Sequence, residues 1–173
     1  MELIMEKKLP QLKIREWNEK PRTKLRFIKI GDIFCYQFSE EMFVFGQILG
    51  KVNVGHVIQF FDIFQASPTI TVEELSRAQF IGKPIIVDSY TLFDRSPVWS
   101  WQIIGHQADF DPSPFKDLAF KWGDPNGLHF GKVWLDGRRE SKIFSREEVE
   151  DLDWEACVGS IVYNRILEEE LDK

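Results

Sequence analysis

The sequence predicts an α+β fold in which a bent, mainly antiparallel β-sheet packs against a few helices. The first indication is three segments rich in aromatic and β-branched residues, 30–38, 42–49 and 56–64. Short polar turns separate these segments, which is typical of a β-meander. The second indication is two helix-start patterns, in which Thr71 and Ser145 are each followed by Glu three residues later. The meander is compatible with an open sheet or with an SH3-like barrel.

The first half of the chain is predicted as follows. Residues 1–29 are polar and form an N-terminal arm with a short element between Leu12 and Trp17. After the meander, the helix that begins at Thr71 ends at Gly82, because Gly and Pro stop helices. Three glycines are spaced like hairpin turns: Gly46, Gly50 and Gly55.

The second half begins with strands predicted at 84–90 and 98–105. The Pro- and Asp-rich stretch 106–126 predicts a long ordered loop held by aromatic residues, and loops of that length usually carry function or are mobile. A hairpin is expected between residues 128 and 144, with its turn at Asp136-Gly137. The C-terminal helix is predicted over 155–171 from apolar residues at helical spacing: Val158, Ile161, Val162, Ile166 and Leu167. No linker is visible, so residues 1–173 are expected to form a single domain.

Charge is distributed unevenly along the chain. The formal net charge is -6, which argues against direct nucleic-acid binding because phosphate contacts need clustered Lys and Arg. Residues 1–30 carry nine Lys or Arg against four Glu, whereas residues from Ser145 onward carry ten Asp or Glu against three Lys or Arg. The two ends either attract each other within the fold or present an acidic face to a basic partner.

Cysteine content and hydropathy point to the cytoplasm. Cys35 and Cys157 are the two cysteines, and their apolar neighbours predict buried thiols, although a single disulfide stays open. The N-terminus has no apolar run of signal-peptide length. No stretch approaches the roughly 20 apolar residues of a membrane span. A cytoplasmic protein without a membrane partner is therefore expected.

The sequence shows no catalytic motif. It contains neither a Gly-rich phosphate loop nor a nucleophile elbow, and Cys35 lies in a strand where a packed thiol is expected rather than a nucleophile. A metal-dependent hydrolase would need His and Asp ligands to converge. The residues available for such a site are His56, His106, Asp109 and Asp111, with Asp62 or Asp124 as additional ligands. Their spacing matches no known metal motif, so no metal or cofactor is predicted.

Two further features have a plain structural interpretation. The acidic run between Glu147 and Glu155 is usually a solvated helix face, and its alternative is a surface for a basic partner. Trp99 and Trp101 share one face of a predicted strand, which is more typical of a core than of a ligand cage.

Three motifs in a fixed order resemble a known family. They are Gly31-Asp32-Ile33-Phe34, the strand from Phe45 to Leu49, and Trp101-Gln102-Ile103-Ile104-Gly105. The set is similar to immunity protein family 26 of bacterial polymorphic toxin systems, and the resemblance covers roughly residues 27–125. In most members a Pro follows the Phe of the first motif after two or three residues, whereas this chain has Cys35-Tyr36-Gln37-Phe38 there.

The resemblance implies an α+β fold and binding rather than catalysis. An immunity protein neutralises, in the cytoplasm, a cognate toxin domain that neighbouring cells deliver, as in contact-dependent inhibition, or that the producer makes. Many such toxins are basic nucleases, so an acidic inhibitor suits them. The family grouping also includes a small phosphotriesterase, which keeps a metal-dependent phosphotriester hydrolase as the alternative. By resemblance, the scaffold positions are Gly31 and Asp32 in the turn, with Phe34, Phe45, Gly46 and Trp101 in the core.

The expected toxin contacts come from charge and loop length, not from the family motif. Acidic helices supply one group of candidates: Glu147, Glu148, Glu150, Asp151 and Asp153. The Asp- and aromatic-rich loop supplies the other group: Asp109, Phe110, Asp111 and Asp124.

Overall fold

The computed structural model describes residues 9–173, which form two open antiparallel sheets and two α-helices. The six-stranded sheet has the order β1-β6-β2-β3-β4-β5, and its strands are β1 (Leu12–Ile14), β2 (Asp32–Ser39), β3 (Met42–Val52), β4 (Gly55–Gln65), β5 (Phe80–Val87) and β6 (Trp101–Gln107). The three-stranded sheet has the order β7-β8-β9, and its strands are β7 (Ala119–Gly123), β8 (Phe130–Trp134) and β9 (Arg139–Phe144). The helices are α1 (Val72–Arg77) and α2 (Ser160–Leu171). The predicted α+β fold is confirmed. The barrel alternative is wrong, because β1 and β5 are opposite edges of an open sheet.

The predicted meander is confirmed as β2-β3-β4, and both faces of this sheet are buried. Phe34 and Tyr36 on β2 pack on one face, against Trp101 and the α2 residue Leu167. The alternate β2 residues, Ile33 and Cys35 among them, pack on the other face. Side chains of successive strand residues point to opposite faces, so a strand covered on both sides is apolar at nearly every position.

Two of the predicted turn glycines lie inside β3 instead. A Cβ at Gly46 would approach Phe34 Cζ to 2.3 Å, and a Cβ at Gly50 would approach Leu135 Cγ to 2.4 Å. Gly46 therefore makes room for a core ring, and Gly50 lets the three-stranded sheet pack closely on the larger one. The turn of this hairpin lies at Asn53-Val54, just before Gly55 opens β4.

The N-terminal arm was predicted over residues 1–29, and its first eight residues lie outside the described residues. The short element is confirmed as β1, which pairs with β6, and Trp17 stacks edge-on against Phe43 at 5.4 Å. The Thr71 helix start is also confirmed. Thr71 Oγ1 accepts from the N–H of Glu74 at 3.1 Å, and Glu74 Oε2 accepts from the N–H of Thr71 at 2.7 Å. However, α1 ends at Arg77, and β5 already runs through the predicted stop at Gly82.

The C-terminal third departs most from the prediction. The hairpin around Asp136-Gly137 is confirmed as β8-β9, but the predicted loop 106–126 contains strand β7. The last helix begins at Ser160 rather than at Glu155. The reason is that the preceding residues pair with strands: the N–H of Glu155 donates to the Lys121 carbonyl, and the N–H of Val158 donates to the Ile86 carbonyl, both at 2.8 Å.

The apolar face predicted for the last helix is only partly right. Of the predicted residues, Leu167 is buried, whereas Ile161 is 75% exposed and Val162 is 42% exposed. The helix also buries Tyr163, which was not predicted. The two cysteines are both free thiols, so they form no disulfide. Cys35 is buried as predicted, but Cys157 is exposed and lies outside the helix, so its predicted burial is wrong.

Candidate functional site

The motif residues at the start of β2 form a buried turn. Gly31 has φ +89°, a left-handed conformation that favours glycine. Asp32 is buried, accepts from the N–H of Lys29 at 2.8 Å, and lies 2.8 Å from His106 Nδ1. Burial raises the pKa of Asp32, and these two contacts oppose the rise. Together with the fully buried Phe34 and Phe45, this geometry makes the motif a structural element of the sheet.

The histidines named for the hydrolase alternative are not brought together. His56 lies on β4 and His106 on β6, and two strands, β2 and β3, separate them in the sheet. His106 contacts Asp32, whereas Asp111 accepts hydrogen bonds from the backbone and hydroxyl of Ser113. Within residues 9–173, no group of three or more His, Cys, Asp or Glu residues is placed to hold a metal ion. The described geometry therefore offers the hydrolase no converging ligand set.

His56 has a structural role that makes stability depend on pH. It is 2% exposed, its Nδ1 lies 2.8 Å from Ser89 Oγ, and burial lowers its pKa to about 4. The unfolded chain takes up this proton near pH 6.5 and the folded chain only near pH 4, so stability must fall as the pH is lowered between these values. We expect His56 to lower the free energy of unfolding by about 3 kcal/mol across this window. Urea unfolding at several pH values measures it.

The matched control is His56→Gln, which keeps a polar side chain and removes the titration. All other groups titrate in both proteins, so the difference between the two curves isolates His56. Parallel curves from pH 7 to pH 4 would contradict the assignment.

The acidic segment after Ser145 is a short turn rather than a helix. It contains the 3₁₀ turn Glu147–Val149. The predicted capping interaction is present nevertheless: Glu148 Oε2 accepts from the N–H of Ser145 at 2.8 Å, and this hydrogen bond lowers the pKa of Glu148. Val149 packs with Phe130 and Phe144 on the three-stranded sheet. Lys121 Nζ donates to the backbone carbonyls of Val149 and Glu150. The turn is thus held by its backbone and one apolar side chain, which leaves its carboxylates outside.

The five acidic candidates of this segment are not equivalent. Glu148 lies 3.8 Å from Lys142 Nζ in addition to its cap, and Asp153 lies 2.7 Å from Lys83 Nζ. The other three side chains are exposed and make no hydrogen bond or ion pair within the described part of the chain: Glu147, Glu150 and Asp151. We call these three residues the acidic turn. Its carboxylates are available to a partner without the loss of an internal contact.

The loop candidates fall in different places. Asp124 accepts from the N–H of Asn126 at 2.9 Å in a loop that is joined to the acidic segment, because Arg146 donates to the carbonyl of the neighbouring Pro125 at 3.2 Å. Asp109 accepts from the N–H of Gln11 near the arm. Phe110 is half-buried beneath Gly31, where a Cβ would lie 3.1 Å from Phe110 Cβ. Phe110 therefore helps to anchor the loop, and its contact with a toxin stays a prediction.

Asp111 lines an open cleft of about 500 Å³ between the two sheets. The floor is apolar, with Leu49 and Leu135, and the rim carries charges of both signs: Asp111, Asp117, Asp136, Lys116 and Arg138. The cleft lies beyond the Trp134 end of β8, whereas the acidic turn packs at the Phe130 end. The acidic turn and Asp111 thus lie on separate surfaces.

A third surface feature was missed from the sequence. The three-stranded sheet and its margins carry Lys and Arg side chains over aromatic rings, at 4.2 to 6.0 Å from the ring centroids. The pairs are Lys121–Trp154, Lys132–Phe144, Lys142–Phe144, Arg138–Trp134, Arg139–Trp122 and Arg146–Phe130. The sequence does contain six Lys and Arg between residues 121 and 146. The negative net charge of the whole chain drew attention away from them.

A sequence profile of the family described as Immunity protein 26 matches residues 29–129, more than half of the chain. Comparisons with curated proteins and with solved structures gave no match. The matched residues include the buried Gly31–Phe34 turn and Trp101, and they stop before the acidic turn. In the part of the chain that the structure describes, no helix is long and apolar enough to cross a membrane.

Proposed function

This chain belongs to the immunity protein 26 family, and from that premise we propose that it binds and neutralises a cognate bacterial toxin domain in the cytoplasm. The family match is the observation that carries the proposal. The geometry supports it, because the motif residues are buried in the sheet and the acidic turn offers three carboxylates that have no partner among residues 9–173.

The acidic turn favours a basic toxin surface, such as that of a nuclease. Charged groups of opposite sign speed association and specify partners, and pairs that lose water on binding contribute most. Since the turn is anchored through Val149 and two backbone carbonyls, its backbone needs little further ordering when a partner binds. Asp124 extends the same surface, and we place the toxin contact there rather than at Phe110.

The test is calorimetry with the toxin domain encoded next to this chain, using purified proteins with and without added zinc. We expect tight one-to-one binding that is independent of zinc, together with loss of toxin activity. Absence of binding would overturn the proposal. Phosphotriester hydrolysis that requires added metal would support the hydrolase alternative instead.

A further inference from the structure

The four edges of the two sheets are not equally protected. An open edge strand presents unpaired backbone groups to any other strand, and proteins shorten, cover or interrupt such edges. Strand β1 has three residues. Strand β5 contains Pro84 and a left-handed Gly82, and Val158 covers its Ile86 carbonyl. Strand β7 pairs through Lys121 with residues on both sides of Trp154.

Strand β9 is different. It has six residues and pairs with β8 on one side, where the register shifts between Glu140 and Phe144, and its other side has no backbone partner among residues 9–173. Lys132, the partner of Glu140, and Lys142 both lie over the Phe144 ring, so Glu140, Lys142 and Phe144 stay on one face across this irregularity. Its exposed side chains include Ile143, at 62% exposure. The charges on Arg139, Glu140 and Lys142 would oppose an apolar strand. A strand that pairs with β9 must therefore place opposite charges across from these side chains.

A second copy of the same strand provides that match. When two identical edges pair antiparallel, a two-fold axis perpendicular to the sheet keeps each face on its own side. Residues directly opposite each other must lie on the same face, so their numbers are both odd or both even. The axis therefore passes midway between the two copies of one residue. An axis at Glu140 would place Glu140 opposite itself, and an axis at Lys142 would place Lys142 opposite itself.

An axis at position 141 removes both repulsions. Glu140 then lies opposite Lys142 of the second copy, and the symmetric pair repeats the contact. Opposite charges directly across two strands stabilise the pairing, and like charges destabilise it. Lys132 already lies opposite Glu140 on β8, so this carboxylate would lie between two ammonium groups. Ile143 would lie opposite the stem of Arg139 and lose part of its exposure to water.

We propose that β9 pairs antiparallel with β9 of a second copy, centred on position 141, and joins the two three-stranded sheets into one of six strands. The interface is small, and small interfaces give weak, concentration-dependent association. The dimer forms independently of the toxin, so its failure and the failure of the proposed function are distinguishable.

Sedimentation velocity from about 1 µM to about 1 mM tests the proposal, since this range spans the affinities of small interfaces. We expect a monomer–dimer equilibrium. Glu140→Lys and Lys142→Glu should each weaken dimerisation about tenfold or more, because two attractive cross-strand pairs become repulsive. The double variant E140K/K142E restores opposite charges between the two copies and should dimerise more tightly than either single variant, although Lys132 then lies opposite the lysine introduced at position 140.

Recovery in the double variant is the decisive outcome, because misfolding or a partner at another surface would not produce it. Far-UV circular dichroism confirms that each variant is folded. A protein that stays monomeric over the whole range would overturn the proposal. So would a dimer whose dissociation constant is the same in all four proteins.

Discussion

Replacing Trp101 with Ala is expected to lower the free energy of unfolding by about 3–5 kcal/mol, the usual cost of truncating a large buried aromatic residue. Trp101 is 1% exposed, and its ring lies 4.4 Å from that of Tyr36, 5.2 Å from that of Phe34 and 5.1 Å from that of Tyr163. These rings come from β2 and α2, so the substitution opens a cavity where the helix meets the sheet. Urea unfolding monitored by circular dichroism measures the loss.

The matched control is Trp122→Ala, which removes the same side chain from a half-exposed position. Trp122 is 37% exposed and lies over Gly131, with Arg139 above its ring. We expect this variant to lose less than half as much stability, because water already reaches part of the ring. Equal losses in the two variants would mean that Trp101 does not anchor the core.

The central sheet could be predicted because the strand propensity of its residues agrees with the tertiary contacts that these residues make. The segments that became β2, β3 and β4 combine strand-forming residues with short polar turns, and nothing in the fold competes with that pattern. The capping box of Thr71 and Glu74 was equally readable, since both partners lie within one helical turn. The roles predicted for Gly46 and Gly50 were wrong, because these glycines make room for side chains that are distant in the sequence. A glycine beneath Phe34 and a glycine in a turn look alike in one sequence.

The predicted start of the last helix was wrong for a related reason. The predicted helix included residues 155–158, but the N–H groups of Glu155 and Val158 donate to the strand carbonyls of Lys121 and Ile86. Pairing with a strand edge satisfies the same backbone N–H and C=O groups that a helix would satisfy. Which of the two forms depends on tertiary contacts that the local sequence does not show.

The sequence could predict which acidic residues belong to the candidate site, but not which of their side chains are exposed and without a partner. The acidic run was visible, whereas the use of Glu148 as a cap and of Asp153 by Lys83 depends on tertiary contacts. The distances of Asp109 and Asp111 from the acidic turn could not be read from one sequence either. Our proposal therefore favours the three of these five candidates that have no partner in the described part of the chain.

The narrowed group leads to the prediction with the largest effect on binding. The triple variant E147K/E150K/D151K should weaken toxin binding by about two to three powers of ten, because close charge pairs across an interface couple by about 1.5–7 kcal/mol. These carboxylates have no partner in the described chain, so the fold should keep its stability. Calorimetry gives the affinity, and thermal unfolding checks the fold.

A control with the same net charge separates local contact from general attraction. E40K/E41K/E169K changes three exposed acids, two in the β2-β3 turn and one on α2, and it also brings the formal net charge from -6 to zero. Long-range attraction affects both triple variants, mainly through the association rate, and it weakens with added salt. Contact residues act on the dissociation rate, so only the acidic-turn variant should dissociate faster from the toxin. If both variants lose affinity equally and through association alone, the toxin does not bind at the acidic turn.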